Sequence, residues 1–180
     1  MIAPAPILET DRLILRAPSS EDLEAWVAFS ADAETMRFLG GVQARSMAWR
    51  GLCAMTGAWQ IRGFAMFSLI EKATGRWVGR LGPWQPEDWP GTEVGWGIVR
   101  DAWGKGYAPE GAAAAIAYAF DVLGWDEVVH CIDPANTASQ AVARKLGSRV
   151  LRPGRMPPPY DGVEIEVWGQ GRADWRAHHR

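Results

Sequence analysis

Arg100-Asp101-Ala102-Trp103-Gly104-Lys105-Gly106-Tyr107-Ala108 separates a strand pattern from a helix pattern, and its reading decides the fold. On one side Glu93 to Val99 reads as a short strand. Its glycines at 95 and 97 suggest a bulge or a close backbone approach. On the other side Ala108 to Leu123 reads as an Ala-rich helix. Pro109 and Glu110 fall in its first turn, where both are tolerated, and Gly124 ends it. Gly104 and Gly106 let the backbone turn tightly and approach a ligand closely. The helix that follows offers unpaired N–H groups and the positive end of its dipole. The segment is a candidate cradle for a pyrophosphate, and a plain strand-to-helix turn is the alternative. Other phosphate motifs fit less well. In a P-loop alignment Val99 holds the place of the upstream glycine, and in a dinucleotide fingerprint Pro109 holds the place of the third.

Outward from this segment the pattern alternates. Arg12 to Arg16 is a first strand, and Ser19-Ser20-Glu21-Asp22 opens a helix with Leu23, Trp26, Val27 and Ser30 at helical spacing. A second helix runs from about Arg45 to Ile61, interrupted in propensity by Gly51 and Gly57. Gly63 to Ile70 and Arg76 to Gly82 form a hairpin around a turn at Gly75. Pro83 to Gly91 reads as an irregular loop. After the Ala-rich helix come a strand (Glu127 to Ile132), a helix (Asn136 to Leu146), a strand (Arg149 to Arg152), a Pro-rich loop (Gly154 to Gly162) and a last strand (Val163 to Trp168). A polar tail follows. The order β-α-α-β-β-β-α-β-α-β-β mixes a meander with two βαβ crossovers. It predicts an α/β (α+β) fold with a mixed central sheet of about seven strands and helices on both faces.

The chain has 180 residues, the length of one ordinary domain, and 48% of them are apolar, enough for one core. Its net charge of −2 argues against a dedicated nucleic-acid binder. The longest charge-free run, Gly51 to Ile61, is too short to span a bilayer, so no membrane partner is expected. The first residues lack the pattern of a signal peptide. Cys53 and Cys131 are too few for a disulfide framework or a cysteine-based metal site, and a reduced cytoplasm is the simplest location. No metal is expected. Among the 11 tryptophans, Trp84 and Trp89 are flanked by proline and would sit at loop edges, where a flat ring can line a pocket.

Trp103-Gly104-Lys105-Gly106-Tyr107-Ala108-Pro109-Glu110 before an Ala-rich helix resembles the acetyl-CoA-binding segment of the GNAT superfamily of N-acetyltransferases. Asp133-Pro134-Ala135-Asn136-Thr137-Ala138-Ser139, followed by Arg144-Lys145-Leu146-Gly147, resembles that superfamily's second characteristic block. Glu9 to Arg16 and Val167-Trp168-Gly169 are similar to the RimJ/RimL-type ribosomal-protein N-terminal acetyltransferases, which share Trp at position 103. The resemblance runs from about residue 8 to 175 and implies a single GNAT domain there, with short tails at 1–7 and 176–180. Two departures stand out. The block usually ends Leu-Gly-Phe and here ends in Ser148, a change expected to weaken local packing more than chemistry. The tyrosine that many relatives use as general acid is replaced by Ala143.

The resemblance implies direct attack of an amine on acetyl-CoA in a ternary complex, with no covalent enzyme intermediate. The backbone of Trp103, Gly104, Lys105, Gly106, Tyr107 and Ala108 would hold the pyrophosphate. The backbone of Ile98, Val99 and Arg100 would pair with the pantetheine arm like an added strand. Lys105 and Arg100 are phosphate partners or solvated cations. Asn136 would orient the pantetheine amide, cap its helix, or both. Ser139 is the candidate acid for the leaving sulfur, or a first-turn helix serine. Glu93 is the candidate general base, or a charge at the sheet edge. Glu71, Asp161 and Glu164 are weaker candidates for attracting a cationic amine. Trp84, Trp96 and Tyr160 are candidate walls of the acceptor site. His130 has a pKa suited to a base but falls in a strand, where a satisfied structural histidine is the simpler reading. Cys131 reads as packing.

The first functional reading is thus an acetyl-CoA-dependent N-acetyltransferase acting on a protein N-terminal amine or a small-molecule amine. A non-catalytic acyl-CoA-binding sensor on the same fold is the alternative. A nucleotide-binding protein fits less well, since no Walker lysine or Ser/Thr magnesium ligand is present. Exposed tryptophans would permit a homodimer.

Overall fold

The computed structural model describes residues 5–160 and 162–179. The strands are β1 (Leu8–Glu9), β2 (Leu13–Arg16), β3 (Phe67–Glu71), β4 (Trp77–Trp84), β5 (Glu93–Ile98), β6 (Glu127–Ile132), β7 (Arg149–Arg155) and β8 (Glu164–Gly171). The helices are α1 (Leu23–Ala31), α2 (Ala33–Met36), α3 (Arg45–Arg62), α4 (Tyr107–Asp121), α5 (Thr137–Lys145) and α6 (Arg172–His178). One mixed sheet has the order β1-β2-β3-β4-β5-β6-β8-β7. Neighbours are antiparallel except β5 and β6, which are parallel and joined by the α4 crossover. The second crossover, through α5, passes over β8 and delivers β7 antiparallel to β8.

Alternation along the strands assigns the two faces. Leu13, Leu69 and Leu81 meet α4 at Gly111, where an added Cβ would lie 2.7 Å from Leu81. Phe67 also stacks edge-on against Tyr118 of α4, with ring centroids 5.8 Å apart. The opposite face carries Ser68 and Arg80 and is covered by α1, whose Trp26 and Phe29 lie over Arg80. Gly97 opens room there: a Cβ would come within 2.8 Å of Phe29 and 3.1 Å of Leu39. The two glycines of β5 therefore mark a close approach, as strand glycines often do. Buried Asp22, bonded to Arg16 at 2.6 Å and Ser68 at 2.7 Å, ties the start of α1 to the sheet. The arginine and the hydrogen bonds overcome the burial penalty and hold the Asp22 carboxyl below its ordinary range.

The structure corrects several boundaries. The described residues form eight strands rather than about seven, because Leu8–Glu9 adds an edge pair to β2. The strand expected from Gly63 begins at Phe67, since Gly63 closes α3 in the left-handed region at φ 77°. Gly51 and Gly57 do not break α3; Gly51 packs near the Trp26 ring. β4 extends through Pro83 to Trp84, into the expected loop. The polar tail contains α6, anchored by buried Trp175 against Phe120. No helix among the described residues is long and apolar enough to cross a membrane.

Candidate active site

The parallel pair β5–β6 opens after one rung. Glu93 pairs with Val129, and the Val129 N–H donates to Thr92 O at 2.9 Å. The next rung of a parallel ladder would carry the Cys131 N–H to Val94 O. Instead the Cys131 N–H donates to Glu93 Oε1 at 2.9 Å, and Val94 O accepts from His130 Nδ1 at 2.7 Å. Two side chains thus satisfy the backbone groups that the opening separates, so the strands diverge without leaving either group unpaired. Beyond this point strand alternation turns the backbone of Trp96 and Ile98 into the gap. Val99 turns the other way and donates to Val78 O at 3.0 Å. Ile98 O already accepts from Trp103 Nε1 at 2.8 Å. Of the three residues expected to pair with a pantetheine arm, Ile98 alone faces the gap, and Trp96 joins it.

Two cavities meet at this opening. The first, about 510 Å³, runs from Trp96 and Ile98 to Gly104, Gly106 and the start of α4, with Lys145 of α5 on its wall. The second, about 620 Å³, lies on the α1 side and reaches Glu93 and Arg80. Trp96, Asn136 and Ser139 line both. Trp96 Nε1 donates to Ser139 Oγ at 3.3 Å, which leaves the serine O–H free to donate elsewhere. Asn136 caps α5, its Oδ1 accepting from the Ser139 N–H at 3.1 Å. Among the described residues its amide nitrogen has no hydrogen-bond partner, and the residue lines both cavities.

At the far end of the first cavity Gly104 and Gly106 take φ values of 74° and 83°. This left-handed backbone is cheap for glycine and costly for other residues. A Cβ on Gly104 would meet no atom within 4 Å, so the turn opens onto free space. Gly106 caps α4, whose Tyr107 and Ala108 N–H groups have no intrahelical acceptor. Arg12 anchors the turn: it donates to Lys105 O at 2.8 Å and pairs with Glu110 at 2.5 Å. These donors, the dipole and the adjoining cavity fit a pyrophosphate with an extended arm. Trp103 is half exposed over the turn, while Arg100 and Lys105 project outside the cavity wall as exposed cations.

Glu93 dominates the second cavity. It is 6% exposed, and Trp89 Nε1 donates to its Oε2 at 2.5 Å. Burial raises its pKa to about 7, against the opposing pull of the Cys131 and Trp89 donors and nearby Arg80. It is an enclosed carboxylate facing the cavity, not an edge charge. Trp84 and Tyr160 line the same space, and Tyr160 closes over Gly40, where an added Cβ would lie 2.7 Å from its ring.

His130 is the structural histidine expected. With Nδ1 donating to Val94 O, its Nε2 accepts from Ser148 Oγ at 3.0 Å, and Ser148 accepts from Gln170 Nε2 at 2.9 Å. Burial lowers its pKa to about 4, so it stays neutral with both nitrogens engaged. Ser148 therefore does more than leave an aromatic missing: it anchors the histidine that holds the strands apart. Glu71 lies away from both cavities, bonded to Thr74 at 2.5 Å and to the Tyr107 hydroxyl. Glu164 is exposed and pairs with Arg155. Neither is placed to attract an amine. Asp161 falls outside the described residues. Burial, with the neighbouring Glu93 charge, pushes the Cys131 thiol well above its ordinary range.

Trp89, read from its flanking proline as a ring that can line a pocket, lies on the second cavity. Arg80 and the Arg37–Gly41 connection after α2 complete it and were passed over in the sequence. They come from separate segments, and no spacing links them.

A family model described as acetyltransferase (GNAT) domain matches residues 12–149. The chain belongs to the GNAT acetyltransferase family. It is 30% identical over 163 residues to the uncharacterized protein YkkB of Bacillus subtilis (strain 168), covering 83% of this chain and 91% of that one. It is 31% identical over 161 residues to the FsC-acetyl coenzyme A-N(2)-transacetylase of Aspergillus fumigatus, covering 79% of this chain and 64% of that one. The crystal structure of an acetyltransferase from Agrobacterium tumefaciens str. C58 superimposes with a TM-score of 0.82 at 27% identity, covering 96% of this chain and 98% of that one. As a GNAT member the protein is an acyltransferase, and its mixed sheet is the GNAT sheet.

Proposed function

We propose that the protein is an acetyl-CoA-dependent N-acetyltransferase that acetylates a primary amine by direct attack in a ternary complex. The observation that carries this reading is the junction at Trp96, Asn136 and Ser139, where a cavity ending in a glycine cradle meets one ending in a buried carboxylate. Bound acetyl-CoA supplies the activated thioester carbonyl. The backbone of Trp96 and Ile98 holds the arm at the strand opening, and the Gly104–Ala108 turn holds the phosphates. Glu93, with a pKa near the operating pH, takes a proton from the ammonium so that the neutral amine can attack. As the C–N bond forms and the C–S bond breaks, the Ser139 hydroxyl hydrogen-bonds the departing sulfur, which leaves as the thiol with the second proton shed by the attacking nitrogen. Trp84, Trp96 and Tyr160 wall the acceptor. Two free cysteines suit a reducing cytoplasm.

Calorimetric titration with acetyl-CoA, with ATP as control, tests the coenzyme assignment. Binding of acetyl-CoA alone is the expected result; equal binding of ATP contradicts it. Thiol release with a panel of amines then separates an enzyme from a coenzyme sensor, which would bind and never turn over.

A further inference from the structure

Arg80 is the strongest feature the transfer reaction leaves unexplained. It lies on β4 deep in the molecule, yet keeps accessible surface because it lines the acceptor cavity. Among the described residues no carboxylate lies within 4.0 Å of it. Its one hydrogen-bond partner there is a weak acceptor, Met66 Sδ at 3.0 Å. Trp26 and Phe29 flank it, with their ring centroids 5.5 and 5.7 Å from the guanidinium carbon. Desolvation lowers its pKa against the pull of Tyr160 and the more distant Glu93, and a buried cation with no anion in contact is costly. Met66 also marks the distance to Glu93. The position a Gly95 Cβ would take lies 2.8 Å from the Met66 methyl and 3.4 Å from the Glu93 carboxyl carbon. One methionine terminus thus separates a carboxylate suited to an ammonium from a guanidinium suited to an anion.

We infer that the acceptor is a primary amine carrying its own carboxylate, and that Arg80 selects it by a forked pair with that carboxylate. The inference rests on the acetyltransferase reading and specifies its substrate class. A planar carboxylate matches the guanidinium fork, and the aromatic walls exclude the water that would weaken the pair. Free amino acids and peptides with an acidic first residue share this chemistry.

The test compares isosteric acids and amides: glycine with glycinamide, β-alanine with β-alaninamide, and tripeptides beginning with Asp or Asn. Wild-type enzyme should favour the acid of a matching pair by at least about tenfold in kcat/KM. Arg80→Met should abolish that preference while leaving acetyl-CoA affinity unchanged, and Arg80→Lys should restore part of it. The pair that shows the preference tells a free amino acid from a peptide. Equal rates for acids and amides in wild type, or a preference that survives Arg80→Met, would overturn the inference and leave the transfer reading intact. Absence of turnover with every amine would instead count against the transfer reading. Ligand-observed NMR with the same pairs then decides the inference alone: Arg80-dependent binding of an acid supports it, and its absence refutes it.

Discussion

The two cavities that meet at Trp96 are built in opposite ways. The floor of the coenzyme side is consecutive backbone between Trp96 and Ala108, a strand end, a turn with two left-handed glycines and a helix start, and α5 with Arg37, Phe38 and Leu39 completes its walls. The acceptor side is made by side chains from α1, the Arg37–Gly41 connection, β4, β5, β6 and the segment around Tyr160. Backbone geometry at a ligand site depends on few residues and tolerates change in the rest. A cavity built from dispersed side chains can be respecified by substituting any one of them. The difference predicts that variants on one side will alter coenzyme affinity and variants on the other will alter catalysis and choice of amine.

Glu93→Gln should have the largest effect. Turnover should fall by roughly 10²- to 10⁴-fold, the usual contribution of a general base, with acetyl-CoA affinity unchanged. Steady-state kinetics beside calorimetry would check the split, and a matching loss of affinity would break the division between the two sides. Gly104→Val should act on the other side. It forces a β-branched residue to φ 74° and fills the space at the mouth of the turn, so affinity for acetyl-CoA should drop by about 100-fold or more. A folded variant with unchanged affinity would remove the cradle assignment. Ser139→Ala lies on the boundary. Turnover should decline about tenfold with little change in affinity, as expected for loss of one hydrogen bond to a developing charge. Ser148→Ala should be mildest in function and visible in stability. It strips a partner from buried His130 Nε2 and from Gln170, and should cost about 1–3 kcal/mol in denaturant unfolding.

Legibility in the sequence followed the same division. The glycine turn could be read because glycines 104 and 106, a strand pattern before them and a helix pattern after them are adjacent in the chain. That the sheet is mixed was readable for a similar reason, since hairpins and crossovers connect neighbouring segments. The extra strand at Leu8–Glu9 was missed because a two-residue edge pair has no periodicity of its own. α6 was missed because a single buried tryptophan, Trp175, anchors seven otherwise mostly polar or small residues. Arg80 was hidden for a deeper reason. Within β4 it reads as an ordinary solvent-facing charge, and only the tertiary placement of Trp26, Phe29 and Met66 makes it an isolated cation in a cavity. The hydrogen bonds of Ser148 were not legible because its partners, His130 and Gln170, are distant in sequence.

The central claim is that Glu93 accepts the proton of the incoming amine. The pH dependence of kcat/KM, measured with saturating acetyl-CoA for wild type and Glu93→Gln, tests it most directly. Glu93 acts when ionised, so wild-type activity should rise about tenfold per pH unit on the acid side and bend near pH 7. The variant should lose that bend along with most of its activity. A bend near pH 7 that persists in the variant would assign the titration to another group and contradict the account.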